Sequence, residues 1–308
     1  GKPPFFLPVS LALVDDNGRD IEGPAKVALL KEFETEVVFE NIKEPPAFAS
    51  MNRDSSFYGT FRHENTDALC LSTQARLDPN DCNRVDAMRK LTDIERVKLL
   101  HDPGAPVSGE WLSLYGGFLF DRSLPSSLKA YFLRVDEQPV DRSYASWYLE
   151  LVAARERLMK AVNARYRDEL VGQFLALGRT GVRSMREGIE ARMLKGVLLD
   201  LIAIDDSKES HRLILDALES AQTATERVSA LVALNRSSGE TRRSVLEKVY
   251  ENWHGHLSGY ANYLRVVSSG TGADVFDMIE AEKKRASFDI NQPTWCRALF
   301  LTMAGNNK

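Results

Sequence analysis

The apolar residues change period once along this chain, and that single change limits what it can fold into. Before about residue 64 they come in short β-branched and aromatic runs separated by turn residues; after it they recur every three to four positions. The first part reads as strands at residues 6–14 (FLPVSLALV), 25–30, 36–40 (EVVFE), 47–51 and 57–61. Asp15, Asp16, Asn17 and Gly18 mark a turn, because Asn and Gly tolerate positive φ. Short strands this closely spaced predict part of a small antiparallel β-sandwich over 1–62. Its missing strands would come from upstream, and it would leave an unpaired edge open to association.

The remainder, 63–308, predicts a mainly α, α-solenoid-like array in the style of HEAT repeats. Asp67 opens the first helix. Residues 81–100 follow, with Val85, Met88, Leu91, Ile94 and Val97 at helical spacing. Trp111, Leu114, Tyr115 and Phe118 mark another, and Pro125 suits a first turn. Residues 143–177 predict one long helix or two abutting ones. Further helices are predicted at 184–204, 208–220, 224–235, 240–253, 260–267, 272–284 and 294–303. Ser207, Thr223 or Thr225, and the run Ser238-Gly239-Glu240 supply cap signals. No strict repeat of ~34–47 residues recurs.

Composition closes off several classes of function. Forty Lys and Arg against forty-four Asp and Glu give a net charge of −4, which argues against a nucleic-acid binder held by charge. No run reaches the ~20 apolar residues of a membrane span, and no signal peptide opens the chain. Three cysteines, Cys70, Cys82 and Cys296, lie far apart, so a reducing, cytoplasmic setting is expected. The start at Gly1 and the stop at Lys308 resemble cuts through something longer.

A search for catalytic chemistry assigns no catalytic, cofactor-binding or metal-ligating residue. His63-Glu64 begins like H-E-x-x-H, but Asp67 stands where the second histidine belongs. His254 and His256, two apart, diverge on a helix and read as a polar helix end. Gly116-Gly117 sits in a hydrophobic helical stretch and suits close helix packing rather than a phosphate cradle. Arg155, Arg157, Lys160, Arg165 and Arg167 alternate with acids and read as a solvated helix face rather than an anion site, as do Arg183, Arg186 and Arg192. Cys82 is expected as a small filler near a helix start and Cys296 as a core residue. Trp111, Tyr115, Phe118 and Phe120 are expected in a helix–helix core.

A series of motifs carries a resemblance. Residues 5–14 followed by Asp16-Asn17-Gly18, and then 35–46 (TEVVFENIKEPP), resemble the strand-and-loop segments of the bacterial aminopeptidase N (alanyl aminopeptidase) family. Residues 50–56 (SMNRDSS) are similar to that family's S-L-x-R-x-F-S-A-P. Asp67-Ala-Leu-Cys-Leu with Asn83-Arg84-Val85-Asp86-Ala87 is similar to its D-x-x-L-x-F-L … F-x-R-W-x-A helix pair. Residues 221–231 resemble A-x-N-M-T-D-R-x-A-A-L, and Tyr250-Glu-Asn-Trp253 resembles F-Y-x-x-W. The stretch from Ser287-Phe288 through Asn291, Arg297, Phe300 and Asn306 is similar to F-x-x-x-N-P-N-R-x-R-x-L-x-x-x-F-x-x-x-N. Each motif is weak alone; their order along nearly the whole chain is what is specific. There are departures from the pattern: R-W-x-A is Arg84-Val85-Asp86-Ala87, without the tryptophan, N-P-N-R is Asn291-Gln292-Pro293-Thr294, without the arginine, and the middle of the first helices aligns loosely.

The resemblance implies part of a β-sandwich domain and most of a C-terminal helical domain from a zinc aminopeptidase. The catalytic domain, with its zinc motif, has no counterpart here, so no zinc or catalytic residue carries over. The implied partners are that catalytic domain and peptide substrates, with no nucleic acid and no membrane. The implied role is a wall or lid of the substrate cavity. The alternative is a free-standing α-solenoid adaptor without enzymatic activity.

Overall fold

The structure is a computed structural model that describes residues 4–21, 25–59, 61, 66–136, 139, 141–179 and 184–305. Gly1, His63, Glu64, Arg183, Asn306 and Lys308 therefore lie outside the described residues. The chain divides into two compact units, Gly1–Glu95 and Arg96–Lys308.

The first unit holds a three-stranded antiparallel sheet in the order β2-β1-β3. Its strands are β1 (Leu7–Val14), β2 (Lys26–Leu30) and β3 (Phe48–Met51). Leu7 pairs with Leu30 and Leu11 with Lys26 on one side, and Leu11 pairs with Met51 on the other. The turn after β1 is held by Asp15 Oδ1, which accepts from the amides of Asn17 and Arg19 at 2.8 Å each. Gly18 is needed there twice over. Its φ is +76°, and a Cβ would sit 2.5 Å from the Leu77 carbonyl oxygen.

Two of the expected strands are not strands. Residues 36–40 are irregular, with Val38 61% exposed. The Lys26 ammonium donates to the Val38 carbonyl at 3.3 Å and lies over the Phe39 ring, and among the described residues no strand pairs with the run. β-propensity without a partner ladder does not make a strand. Residues 57–59 bend instead, because Asn52 Oδ1 accepts from Ser56 Oγ at 2.9 Å and from the Phe57 amide at 3.2 Å; Thr60 lies outside the described residues.

A buried polar hub ties the sheet to α1 (Ala68–Leu77) and α2 (Asp81–His101). Arg53 grips Asp20 with two hydrogen bonds of 2.7 Å and donates from Nε to Ser50 Oγ at 2.8 Å. Ser50, fully buried, donates to Asp78 at 2.9 Å and accepts from Asn83 at 2.9 Å. Every polar group placed there is thus paired, as burial demands. Asp67 caps α1, accepting from the Cys70 amide at 2.7 Å. The buried stripe of α2 differs from the expected one: Ile94 is 50% exposed, while Glu95 and Arg96 are buried, the latter donating to the Asp136 carbonyl at 2.6 Å.

The second unit is a helical array. Its helices are α3 (Gly109–Phe120), α4 (Ser126–Leu133), α5 (Tyr148–Arg179), α6 (Met185–Ala203), α7 (Lys208–Ser220), α8 (Ala224–Asn235), α9 (Arg242–Trp253), α10 (Leu257–Ser268) and α11 (Val275–Lys283). After them come α12 (Pro293–Cys296), a π-helical turn Arg297–Leu301 and α13 (Thr302–Gly305). The long helix is one piece, broken locally at Tyr166 (φ −128°, ψ 18°) and preceded by a 3-10 turn. Each helix packs on near neighbours: α5 and α4 on α6, α6 and α7 on α8, α8 and α11 on α10. The core around α10 gathers Leu231, Leu246, Tyr260, Tyr263, Leu264 and Leu299. Trp111, Tyr115 and Phe118 are core, with Phe118 stacked on Phe132 at 4.0 Å, but Phe120 is half exposed. Cys82 is exposed and Cys296 only half-buried, its thiol 3.0 Å from the Ile290 carbonyl oxygen.

The helix ends share a device. Several N-termini are capped locally: Ser207 accepts from the Ser210 amide at 3.1 Å, and Ser184 and Thr223 each form a capping box. The Ser238–Glu240 signal is not used as a cap; Thr241 occupies that position without a side-chain bond. C-termini are capped from elsewhere. The last carbonyls of a helix lack internal partners, and among the described residues only Gly18 is a glycine at positive φ, so no glycine cap closes a helix there. Other side chains take over. Leu119 at the end of α3 accepts from Lys129 at 3.0 Å and Gln173 at 2.7 Å. Leu133 at the end of α4 accepts from Tyr115. Leu201 in the last turn of α6 accepts from Asn163 at 2.9 Å, and Asn235 at the end of α8 accepts from Arg242 at 3.2 Å. Val266 and Val267 of α10 accept from Asn235 at 2.7 and 3.0 Å. Burial, with Arg122 nearby, pulls the pKa of the capping Lys129 ammonium down.

Candidate functional site

The helical unit carries two adjoining cavities of about 580 and 450 Å³. Both are lined by Arg155, Met159, Asp200 and Arg236, so the two share a wall. Helix periodicity places these four: Arg155 and Met159 are one turn apart on α5, Asp200 lies near the end of α6, and Arg236 follows α8. Asp200 is the pivot. It meets Arg236 at 3.2 Å and Arg155 at 3.6 Å. Arg155 also donates to the Val135 carbonyl at 2.8 Å, and Arg236 to the Ser269 carbonyl at 3.2 Å.

The larger cavity is charged but internally balanced. Asp274 sits between Arg242 and Arg243, pairing with both, the latter at 2.8 Å. Hydrogen bonds from these two guanidinium groups hold its carboxyl at about 2. Asp206, at φ +52°, accepts from the Ser238 amide at 2.9 Å and pairs with His211 at 2.5 Å. Burial works against its charge, but the bonds from Ser238 and His211 outweigh it and keep the carboxyl below its ordinary range. An Asp–His pair invites comparison with a triad. Among the described residues, however, no serine or cysteine is hydrogen-bonded to His211, so the pair lacks a nucleophile. The smaller cavity differs: its walls carry Arg134, Arg155, Arg192 and Arg236 against Asp200 alone, over an apolar floor.

The basic residues of α5 do not form the solvated face expected of them. Arg155 lines the groove and Arg157 donates to the Ala105 carbonyl at 2.6 Å. Arg167 pairs with Asp205 and donates to Ser210 at 3.1 Å; Lys160 and Arg165 stay exposed. Arg186 pairs with Glu190 at 2.9 Å, whereas Arg192 faces the smaller cavity. His254 does end α9, its Nδ1 3.0 Å from the Tyr250 carbonyl oxygen. Asp200, Asp206, His211, Arg236 and Asp274 carried no motif; residues 36 apart meet at one carboxylate, and no local spacing announces that. Among the described residues no three His, Cys, Asp or Glu side chains gather as a metal site, and no helix is long and apolar enough to cross a membrane.

Comparison with known proteins places this architecture. Residues 1–64 match a domain of unknown function, DUF3458, with an Ig-like fold. Residues 69–308 match its companion, DUF3458_C, described as ARM repeats. The chain is similar in structure to aminopeptidase A of Legionella pneumophila, solved in complex with aspartic acid, with a TM-score of 0.82 at 20% sequence identity. That match covers 97% of this chain and 36% of the aminopeptidase chain. With the ARM-repeat match extending over most of its length, the chain belongs to the DUF3458_C family.

Proposed function

We propose that this chain is the non-catalytic C-terminal portion of a zinc aminopeptidase that releases N-terminal residues from peptides, and that its helical array walls the substrate cavity. The observation that carries this is the structural match to an aminopeptidase over 97% of the chain, together with the ordered motif series. The covered share, 36%, leaves room in such a protein for a separate catalytic part. A zinc ion held by that part supplies Lewis acidity and an activated water when bound. The described residues of this chain offer no ligand set for it. The work of this portion is to bound the cavity, exclude bulk water and limit entry to short or unfolded peptides. A cytoplasmic setting belongs to the same proposal, since Cys70, Cys82 and Cys296 are all free thiols.

The test compares the 308-residue chain with the protein encoded by its complete reading frame, using an alanyl anilide and a zinc assay. The complete protein should cleave the anilide and carry zinc, and the chain alone should do neither while keeping its helical circular-dichroism spectrum. Robust cleavage by the chain alone would overturn the proposal. So would a start codon beside Lys2, which would leave a free-standing adaptor.

A further inference from the structure

We infer that the smaller cavity is a binding groove for an extended peptide segment bearing alternating apolar and acidic side chains, with Arg192 as its charge reader. This deepens the proposal above, taking from it only that the occupant is a peptide.

The chemistry of the walls sets the occupant. The floor is aliphatic: Ile189, Met193 and Val197 of α6 face Val228 and Val232 of α8. Ile189 is 47% and Met193 36% exposed, and Met185, one turn before Ile189, is 84% exposed, so an apolar stripe runs out of the cavity along α6. Exposed apolar stripes of this kind mark binding surfaces. The walls are cationic, and their lone acid, Asp200, is already engaged by Arg155 and Arg236. Arg192 stands in the same wall with no ion pair or hydrogen bond among the described residues. A cation beside apolar surface, with no carboxylate of its own chain, is matched by a carboxylate brought in on an apolar-rich segment. A small inorganic anion would leave the aliphatic floor wet. A basic peptide would meet like charge at Arg192, while Arg134, Arg155 and Arg236 are paired with Asp136 and Asp200. A nucleic acid would find no aromatic surface on which to stack. The stripe along α6 from Val197 out to Met185 gives an extended segment a track to follow.

The test is fluorescence anisotropy of the full chain with three labelled pentapeptides: Leu-Glu-Leu-Glu-Leu, Leu-Lys-Leu-Lys-Leu and Ser-Glu-Ser-Glu-Ser. The Leu-Glu peptide should bind at least about tenfold more tightly than either of the others. Arg192→Glu should weaken it by about tenfold and strengthen the Leu-Lys peptide. Lys208→Glu, which makes the same charge change on α7 outside the groove, should leave the preference intact. Equal binding of Leu-Glu and Leu-Lys peptides overturns the inference, as does an unchanged preference in Arg192→Glu. Binding of the Ser-Glu peptide as tight as that of Leu-Glu would mark a site for anions in general and would also overturn it. Binding is read on this chain and anilide cleavage on the complete protein, so either result can fail while the other stands.

Discussion

Gly116 and Gly117 are adjacent in sequence and opposite in consequence. A Cβ on Gly116 would lie 2.6 Å from Cζ of Tyr166, whereas one on Gly117 would meet nothing within 4 Å. Tyr166 cannot retreat cheaply, because its hydroxyl donates to the Leu112 carbonyl at 2.8 Å. Gly116→Ala should therefore cost about 1–3 kcal/mol in urea unfolding, and Gly117→Ala should gain about 0.5–1 kcal/mol from helix propensity. The pair was legible in sequence as a packing feature; which glycine does the packing was not, since the partner ring is some fifty residues away. A second prediction concerns Asp274. Its carboxyl is held at about 2 against an ordinary 3.8, so the unfolded chain binds the proton more readily. The stability it contributes is fully present above about pH 4 and is lost as pH falls toward 2. Asp274→Asn should flatten that acid limb in denaturation curves taken between pH 5 and pH 2, and an unchanged limb would count against the pairing.

At the scale of elements, the helices and their N-caps were readable because their signals are local. Ser207 and Thr223 cap as their positions suggest, and most helix bounds fall within a few residues of those expected. Residues 36–40 show the converse. The run has strand propensity and no ladder to join, and no local pattern reveals a missing neighbour. The C-terminal caps were hidden for the same reason, since each donor comes from a different part of the chain. Asn163 and Asn235 do one job at two places, each sealing a helix end from the side. Asn235→Leu would take one donor from each of the Val266 and Val267 carbonyls, leaving Val266 to Ser269 and Val267 to the Gly270 amide at 3.3 Å. The expected loss is about 0.5–1.5 kcal/mol per lost hydrogen bond, read as a lower urea midpoint.

At the scale of the molecule, the residues behind the family resemblance are mostly those that hold the fold. Ser50, Arg53 and Asn83 form the hub of the first unit. Tyr250 and Ser287, 2.9 Å apart, join Tyr260 in the second, where Arg285 lies 3.7 Å over the Tyr250 ring. Such residues announce a lineage and say little about a ligand. The groove was invisible because Arg155, Asp200 and Arg236 come together only when three helices pack. The side-donated caps carry a further consequence. In a simple repeat array each unit melts nearly independently of all but its neighbours, and units can be lost or gained. Here Asn235 both closes the end of α10 and offers its own carbonyl to Arg242, so α8, α9 and α10 are latched in series. Hydrogen exchange on Asn235→Leu should show amides of α8 and α10 losing protection together, while α1 keeps its own. An array latched in this way cannot be trimmed or extended by one repeat without breaking bonds that hold the next helix end, so insertions and deletions over evolution should fall in its loops and leave its helix count alone.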